Sequence, residues 1–228
     1  MNWHDATPAA YRNAIVTGDA RKLARKLPPE SVDVIFADPV YQNVADYRWL
    51  AKTALRVLRP KGMVLAWCSK PKFAYCQIAM EKAGLEYVYD LDYTVVAKTY
   101  RMRWYNLFCW TTPLLWMQRP GSASRPRRWI PDTFSSQART SGAHPWNKNI
   151  EVLLSWLDAF CPLDGVVFDP FTGSGSVPVA ATMLCRDFIA FEIDPATADM
   201  ARTRLAATTP PLPGLVIEQP LLLEEEAA

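Results

Sequence analysis

Four consecutive residues, Asp38-Pro39-Val40-Tyr41, put a carboxylate, a proline-fixed carbonyl and an aromatic ring directly after the apolar run 32–37. Open α/β sheets gather their ligands at such strand ends. An exocyclic amino group has two N–H donors and a lone pair delocalised into its base. The Asp38 carboxylate and the Pro39 carbonyl can accept both donors, push the nitrogen towards a pyramidal geometry and release its lone pair to attack a methyl sulfonium. Tyr41 can stack on a base turned out of its helix, as enzymes that work on bases require. Against this stand plainer roles: Asp38 as a turn or cap residue, and Tyr41 as a core aromatic.

A second group lies far along the chain. The apolar run 166–168 leads into Asp169-Pro170-Phe171-Thr172-Gly173-Ser174-Gly175-Ser176, and a helical pattern follows. Gly173 and Gly175 allow a sharp turn and close approach to a ligand. The helix behind them offers N–H groups to a polar ligand. The next strand ends at Glu192-Ile193, with Glu192 nineteen positions beyond Gly173, near the spacing at which a Rossmann acid meets a ribose hydroxyl. Position 178 is Pro where the third glycine of a dinucleotide loop would stand. That disfavours a pyrophosphate cofactor and a hydride-transfer enzyme.

The elements that must position these groups alternate strand and helix, the pattern of βα units on a mainly parallel sheet. Strands are expected at 14–17, 32–37, 63–67, 166–168 and 188–191, and helices at 47–58, 72–83, 150–160, 177–184 and 196–207. The stretches 87–98 and 107–117 read as consecutive strands without a helix between them, which implies an antiparallel addition. Residues 119–143 read as a loop. The chain is 228 residues long and half hydrophobic, enough for one sizeable α/β core. Five scattered cysteines suit a reduced, cytoplasmic protein. No metal site or membrane span is expected.

In motif order the chain resembles the β-class, circularly permuted amino-methylating DNA methyltransferases, of the adenine-N6 type with a DPPY-like motif. Asp169-Pro170-Phe171-Thr172-Gly173-Ser174-Gly175 is similar to that family's DPFxGSG. Gly18-Asp19, with Ala20 next, resembles the element bordering the cofactor adenine. His144-Pro145-Trp146-Asn147-Lys148 resembles an HPxxK element, followed here by Asn149, and 56–62 resembles the corner after the catalytic motif. The resemblance implies a Rossmann-like S-adenosylmethionine-dependent fold with a seven-stranded mixed sheet and one antiparallel strand. It makes Asp38, Pro39 and Tyr41 catalytic. It gives the cofactor to Asp19, Ala20, Asp38, His144, Lys148, Asn149, Asp169, Phe171, Thr172, Gly173, Ser174, Gly175, Ser176, Glu192 and Ile193. His144 is expected to be structural, and Lys148 is equally a solvated lysine. Val40 stands where the family has proline and gains an N–H, so the loop is expected to be less preorganised.

One catalytic domain over 1–228 is expected, with a Pro-rich peripheral tail at 208–228. The segment 119–143 is the candidate target-recognition region: Arg119, Arg125, Arg127, Arg128 and Arg139 accompany one acid, Asp132, a balance suited to phosphates or to a solvated loop. The expected partner is double-stranded DNA. So short a region implies a relaxed target sequence or a homodimer. Asp rather than Ser at position 38 leans, within the family, towards adenine N6. Cytosine N4, an RNA amino group, or a DNA-binding homologue weakened at Val40 are the rival readings.

Overall fold

The computed structural model describes residues 7–95, 100–102, 106–136 and 150–209. The first half runs β1 (Ala14–Thr17), α1 (Ala20–Leu23), β2 (Val32–Ala37), α2 (Val44–Val57), β3 (Leu58–Trp67), α3 (Phe73–Glu81) and β4 (Glu86–Val95). A short pair follows, β5 (Tyr100–Met102) and β6 (Leu107–Cys109), then β7 (Thr111–Gln118) and β8 (Thr133–Ser136). The second half is α4 (Ile150–Phe160), β9 (Val166–Asp169), α5 (Ser176–Met183), β10 (Asp187–Glu192) and α6 (Pro195–Ala206).

Alternation along the central strands decides the layering. On β3, Val64 and Ala66 enter a first core, while Met63, Leu65 and Trp67 enter a second. On β10, Phe188 and Ala190 face one side and Ile189 and Phe191 the opposite side. Strands buried on both faces read as continuous apolar runs, and these do. The core on the first face is closed by α1, α2 and α3 through Ala20, Leu50, Ala54 and Met80. The second is closed by α4, α5 and α6 through Trp156, Ala180 and Ala198.

The main sheet has the order β1-β10-β9-β2-β3-β7-β4-β8. Neighbours are parallel except at β7, which opposes both β3 and β4. The single antiparallel strand matches the expectation, but the sheet has eight strands and not seven. The eighth is β8, inside a segment read as loop. It pairs in parallel with Asp92–Val95, and four residues with one large apolar side chain, Phe134, are too few to show a period.

Other boundaries differ for local reasons. The stretch 107–117 is two strands, because β6 leaves the main sheet to pair with β5. Helix α2 starts at Val44, earlier than its apolar spacing suggests, because the Asn43 side chain caps it by accepting from the Ala45 N–H at 3.2 Å. Helix α1 was not expected at all; Asp19 caps it. The tail beyond residue 209 and the 137–149 segment, with Arg139, His144, Lys148 and Asn149, lie outside the described residues. No helix among the described residues is long and apolar enough to cross a membrane.

Trp67 is the hub under the carboxyl end of the sheet. Its ring meets Trp156 at 5.5 Å, Tyr93 at 5.7 Å and Phe36 at 6.3 Å, and its carbonyl accepts the Tyr47 hydroxyl at 2.7 Å. Trp67→Ala is expected to destabilise the fold by about 3–5 kcal/mol, the range for emptying a large aromatic site in a core. Urea midpoints of the two proteins check this; a loss below about 1 kcal/mol would mean that the neighbours collapse into the space.

Candidate active site

The site residues of the two halves meet because β2 and β9 are neighbours. Val34 pairs with Val167 and Ile35 with Phe168, so both strands end at the same edge, one in Asp38 and the other in Asp169. To one side of this pair the chain continues through β3, and to the other through β10. This is the switch point at which open α/β sheets bind ligands.

The glycine loop is held by its own polar groups. Asp169 is buried, and its Oδ1 accepts the Phe171 N–H at 3.1 Å. The Thr172 hydroxyl donates to the Asp169 carbonyl at 3.2 Å, and the Thr172 N–H to the Phe191 carbonyl at 3.0 Å. Gly175 has φ +79°, and a Cβ there would meet Ala201 of α6 at 3.0 Å, so both backbone conformation and packing require glycine. Gly173 has φ +52°, and a Cβ there would meet nothing within 4 Å. Backbone lies open there. Ser174 and Ser176 face Arg204, whose Nη1 reaches the Ser174 carbonyl at 3.2 Å and the Ser176 hydroxyl at 2.9 Å.

Glu192 is already oriented. Its Oε2 accepts the Gly173 N–H at 2.8 Å and its Oε1 the Asp194 N–H at 3.0 Å. A carboxylate has about four acceptor sites, so each oxygen keeps capacity for a hydroxyl. Ile193, next to it, is 69 % exposed. The Glu192 carbonyl accepts the Gly18 N–H at 2.7 Å, which docks the Gly18-Asp19-Ala20 turn beside it. The Asp19 side chain is occupied as a cap, accepting the Arg21 N–H at 2.8 Å, and Ala20 is buried.

On the other side of the switch point Asp38 is exposed and Pro39 buried. Tyr41 is half-buried against the second core, and its hydroxyl is hydrogen-bonded to Asp38. Burial and the Asp38 charge hold the phenol proton far above the ordinary tyrosine range, so Tyr41 stays a neutral donor. Val40 projects outwards, 68 % exposed. Its carbonyl accepts the Asn43 N–H at 2.8 Å, and Asn43 in turn donates to Asp46 at 2.8 Å. The loop lost a proline but is tied into the cap of α2.

Asp38, Asp169 and Glu192 lie within electrostatic reach of one another. Burial first, and then the charges of Asp38 and Glu192, push the Asp169 carboxyl up to about 8. A place where three carboxylates crowd favours a cation over a phosphate. Among the described residues no cluster of His, Cys, Asp and Glu is arranged to hold a metal ion.

The motif reading passed over a polar-aromatic cluster beside this loop. Trp49 meets Phe171 edge-on at 5.7 Å, the Arg21 guanidinium lies 6.0 Å from the Trp49 ring, and Arg21 pairs with the buried Asp46 at 2.5 Å. Asp46 beside a cap asparagine was the available sign, because charged residues are rarely buried without a partner.

The arginine segment goes elsewhere. Arg119 follows the end of β7, binds Glu30 at 3.0 Å and donates to the Leu58 carbonyl at 2.8 Å. Arg127 donates to the Asp158 and Cys161 carbonyls, both at 3.2 Å, and Arg128 to Asp158 and Ser155, both at 3.3 Å. Arg125 lines a cleft of about 270 Å³ with Asp33, Pro60 and Lys61. Arg119, Arg125 and Arg127 thus sit at the amino edge of the parallel strands, about 20 Å from Asp38 given the length of β2. Arg127 and Arg128 lie against the carbonyl end of α4, a position natural to cations.

A family model described as DNA methylase matches residues 63–203, and a methyltransferase-domain model matches residues 3–66. A type II methyltransferase of Lactococcus lactis subsp. cremoris, M2.LlaDCHI, is 25 % identical over 243 residues, covering 85 % of this chain and 89 % of that one. The solved structure of an M1.HpyAVI–SAM complex superposes with TM-score 0.72 at 21 % identity, covering 84 % of this chain and 99 % of that chain. The cytosine-N4-specific PvuII DNA methyltransferase superposes with TM-score 0.73 at 16 % identity, covering 83 % and 85 %.

The raised Asp169 carboxyl has a consequence for stability. A carboxyl whose folded pKa exceeds its unfolded value stabilises the fold through its protonated form. That contribution is complete below about pH 4 and is lost as pH rises through about 8. Relative to Asp169→Asn, the ligand-free wild type is expected to lose stability across this window, at no more than about 1.4 kcal/mol per pH unit, and to level off above it. Urea unfolding from acid to alkaline pH reads the difference; parallel curves for the two proteins would refute it.

Proposed function

We propose that this chain, which belongs to the DNA methylase family, transfers a methyl group from S-adenosylmethionine directly to the N6 amino group of an adenine turned out of double-stranded DNA. The observation that carries the reading is the meeting of Asp38, Asp169 and Glu192 around the open backbone at Gly173. A sulfonium cofactor that also carries an ammonium group suits three carboxylates, whereas a pyrophosphate does not. The space beside Gly173 lets such a ligand lie against bare backbone. Glu192 is placed to accept from ribose hydroxyls, and the Trp49–Phe171 pair forms an apolar wall beside the loop.

When bound, the cofactor supplies an electrophilic methyl group. The chain's own part is to present the nitrogen. Asp38 accepts one amino N–H and the Pro39 carbonyl the other, so the lone pair turns out of the base plane. The Tyr41 hydroxyl fixes the Asp38 carboxylate while its ring backs the base. The new N–C bond forms as the S–C bond breaks, and the nitrogen then sheds one proton, with Asp38 as the nearest acceptor. No covalent bond to the protein is needed.

Cytosine N4 is the second reading, because that amino group offers the same two donors and the PvuII enzyme, cytosine-N4-specific, has the same fold. Asp rather than Ser at position 38 favours adenine. Digesting methylated DNA to nucleosides and weighing them decides: N6-methyl-2'-deoxyadenosine is expected, and N4-methyl-2'-deoxycytidine would move the assignment to the rival. An RNA substrate would appear as methylated ribonucleosides alone.

Two substitutions test the roles. Asp38→Ala is expected to lower the transfer rate by ~10²–10³, the usual cost of removing one preorganised polar group at a reacting centre, with cofactor affinity retained. Glu192→Ala is expected to weaken S-adenosylmethionine binding by ~1–3 kcal/mol, the cost of stripping a partner from a partly buried polar ligand, as read by calorimetry. Binding of NAD in preference to S-adenosylmethionine, or near-wild-type turnover of Asp38→Ala, would sink the reading.

A further inference from the structure

We propose that the β5–β6 hairpin, through Leu107, Phe108 and Trp110, is the element that docks double-stranded DNA beside the Asp38 loop. The inference rests on the DNA-methylating reading above. Its first support is position. Strand β3 ends level with β2, and Trp67 pairs with Leu114 of β7. Trp110 therefore stands beyond the carboxyl edge, two strands across from Asp38, which is about 10 Å sideways. The hairpin lies outside the main sheet and on the edge where a flipped base must enter.

Its surface is unusual. Leu107, Phe108 and Trp110 are 53 %, 52 % and 52 % exposed. Consecutive strand positions face opposite sides, so Phe108 and Trp110 share one face of the ribbon with Leu107 on the other, and paired exposed aromatics mark a contact surface more than single ones do. From 93 to 110 the sequence carries three cations, Lys98, Arg101 and Arg103, and no acid. The register sets the Arg101 position opposite Phe108, which brings a basic and an aromatic position together on the ribbon. A two-stranded ribbon fits the major groove, and apolar side chains commonly wedge into base steps that have been opened. The arginines of 119–128 do not compete for this role, since Arg119, Arg125 and Arg127 sit at the opposite edge.

The test uses the full chain carrying Phe108→Ala with Trp110→Ala. Methyl transfer to genomic DNA is measured over a range of DNA concentrations, beside calorimetry with S-adenosylmethionine and light scattering. The KM for DNA is expected to rise at least about tenfold, the scale of lost base stacking. Cofactor affinity and kcat at saturating DNA should hold, and Trp110→Phe should recover most of the loss. An unchanged KM overturns the inference while leaving the methylation reading in place. A variant that changes only from dimer to monomer, with KM unchanged, overturns it too and assigns the hairpin to a second copy of the chain. A wild type that methylates no duplex defeats the parent reading and this inference together.

Discussion

The pairing of β2 with β9 is the contact on which the molecule turns. It joins segments from the two halves of the chain, and two facing pairs, Val34 with Val167 and Ile35 with Phe168, are enough to align them. The register is locked at the amino edge by Asp33. Its Oδ2 accepts the Val166 N–H at 2.8 Å, across 133 positions of sequence, and pairs with Arg59 at 2.5 Å. Burial raises the Asp33 carboxyl in spite of these partners, so the group is costly to keep charged. That cost is offset by fixing three strands at once. A slip of one residue would turn every side chain of β9 to the wrong core and move Asp169 away from Asp38.

From that alignment the electrostatics follow. Parallel strands deliver their acids to one edge, and β2, β9 and β10 each end in or beside a carboxylate. All three have local donors: Glu192 the Gly173 and Asp194 N–H groups, Asp38 the Tyr41 hydroxyl, and Asp169 the Phe171 N–H. The third, Asp169, is the one that burial neutralises. The ligand-free edge is thus poised for a positive group, whose arrival would favour ionised Asp169. Binding a sulfonium ligand and shedding an Asp169 proton are then linked processes.

Much of this was legible in the sequence. Nearly continuous apolar runs, broken in β2 only by Asp33, gave β2, β9 and β10 nearly to the residue, because strands buried on both faces carry few polar side chains. The helices expected at 150–160 and 196–207 are found at Ile150–Phe160 and Pro195–Ala206. The two acidic motifs stood out through their turn chemistry. Less visible were features set by partners distant in the chain. Strand β8 exists because β4 offers it an edge, not because Thr133-Phe134-Ser135-Ser136 has a pattern. The split between β6 and β7 depends on which neighbour each strand finds. The Arg21–Asp46 pair and its Trp49 neighbour join α1, α2 and the glycine loop, and no motif announces them.

The arginines show most clearly where composition stops informing. A basic stretch in sequence satisfies two physical demands equally well: phosphates at a surface, or the unpaired carbonyls at the end of a helix. Only geometry separates them. Here α4 runs back towards the amino edge and presents the carbonyls of Ser155, Asp158 and Cys161 to the returning chain, and Arg127 and Arg128 meet them. Both side chains stay exposed while they make these contacts, so the helix end is held without withdrawing the arginines from solvent. The hairpin carries no such internal obligation for Trp110 and Leu107, which remain about half in solvent. It stands past the carboxyl edge, the same edge that carries Asp38 and Asp169. Arg127 and Arg128 thus serve a helix end, while the side chains proposed to meet DNA stand at the opposite edge of the sheet.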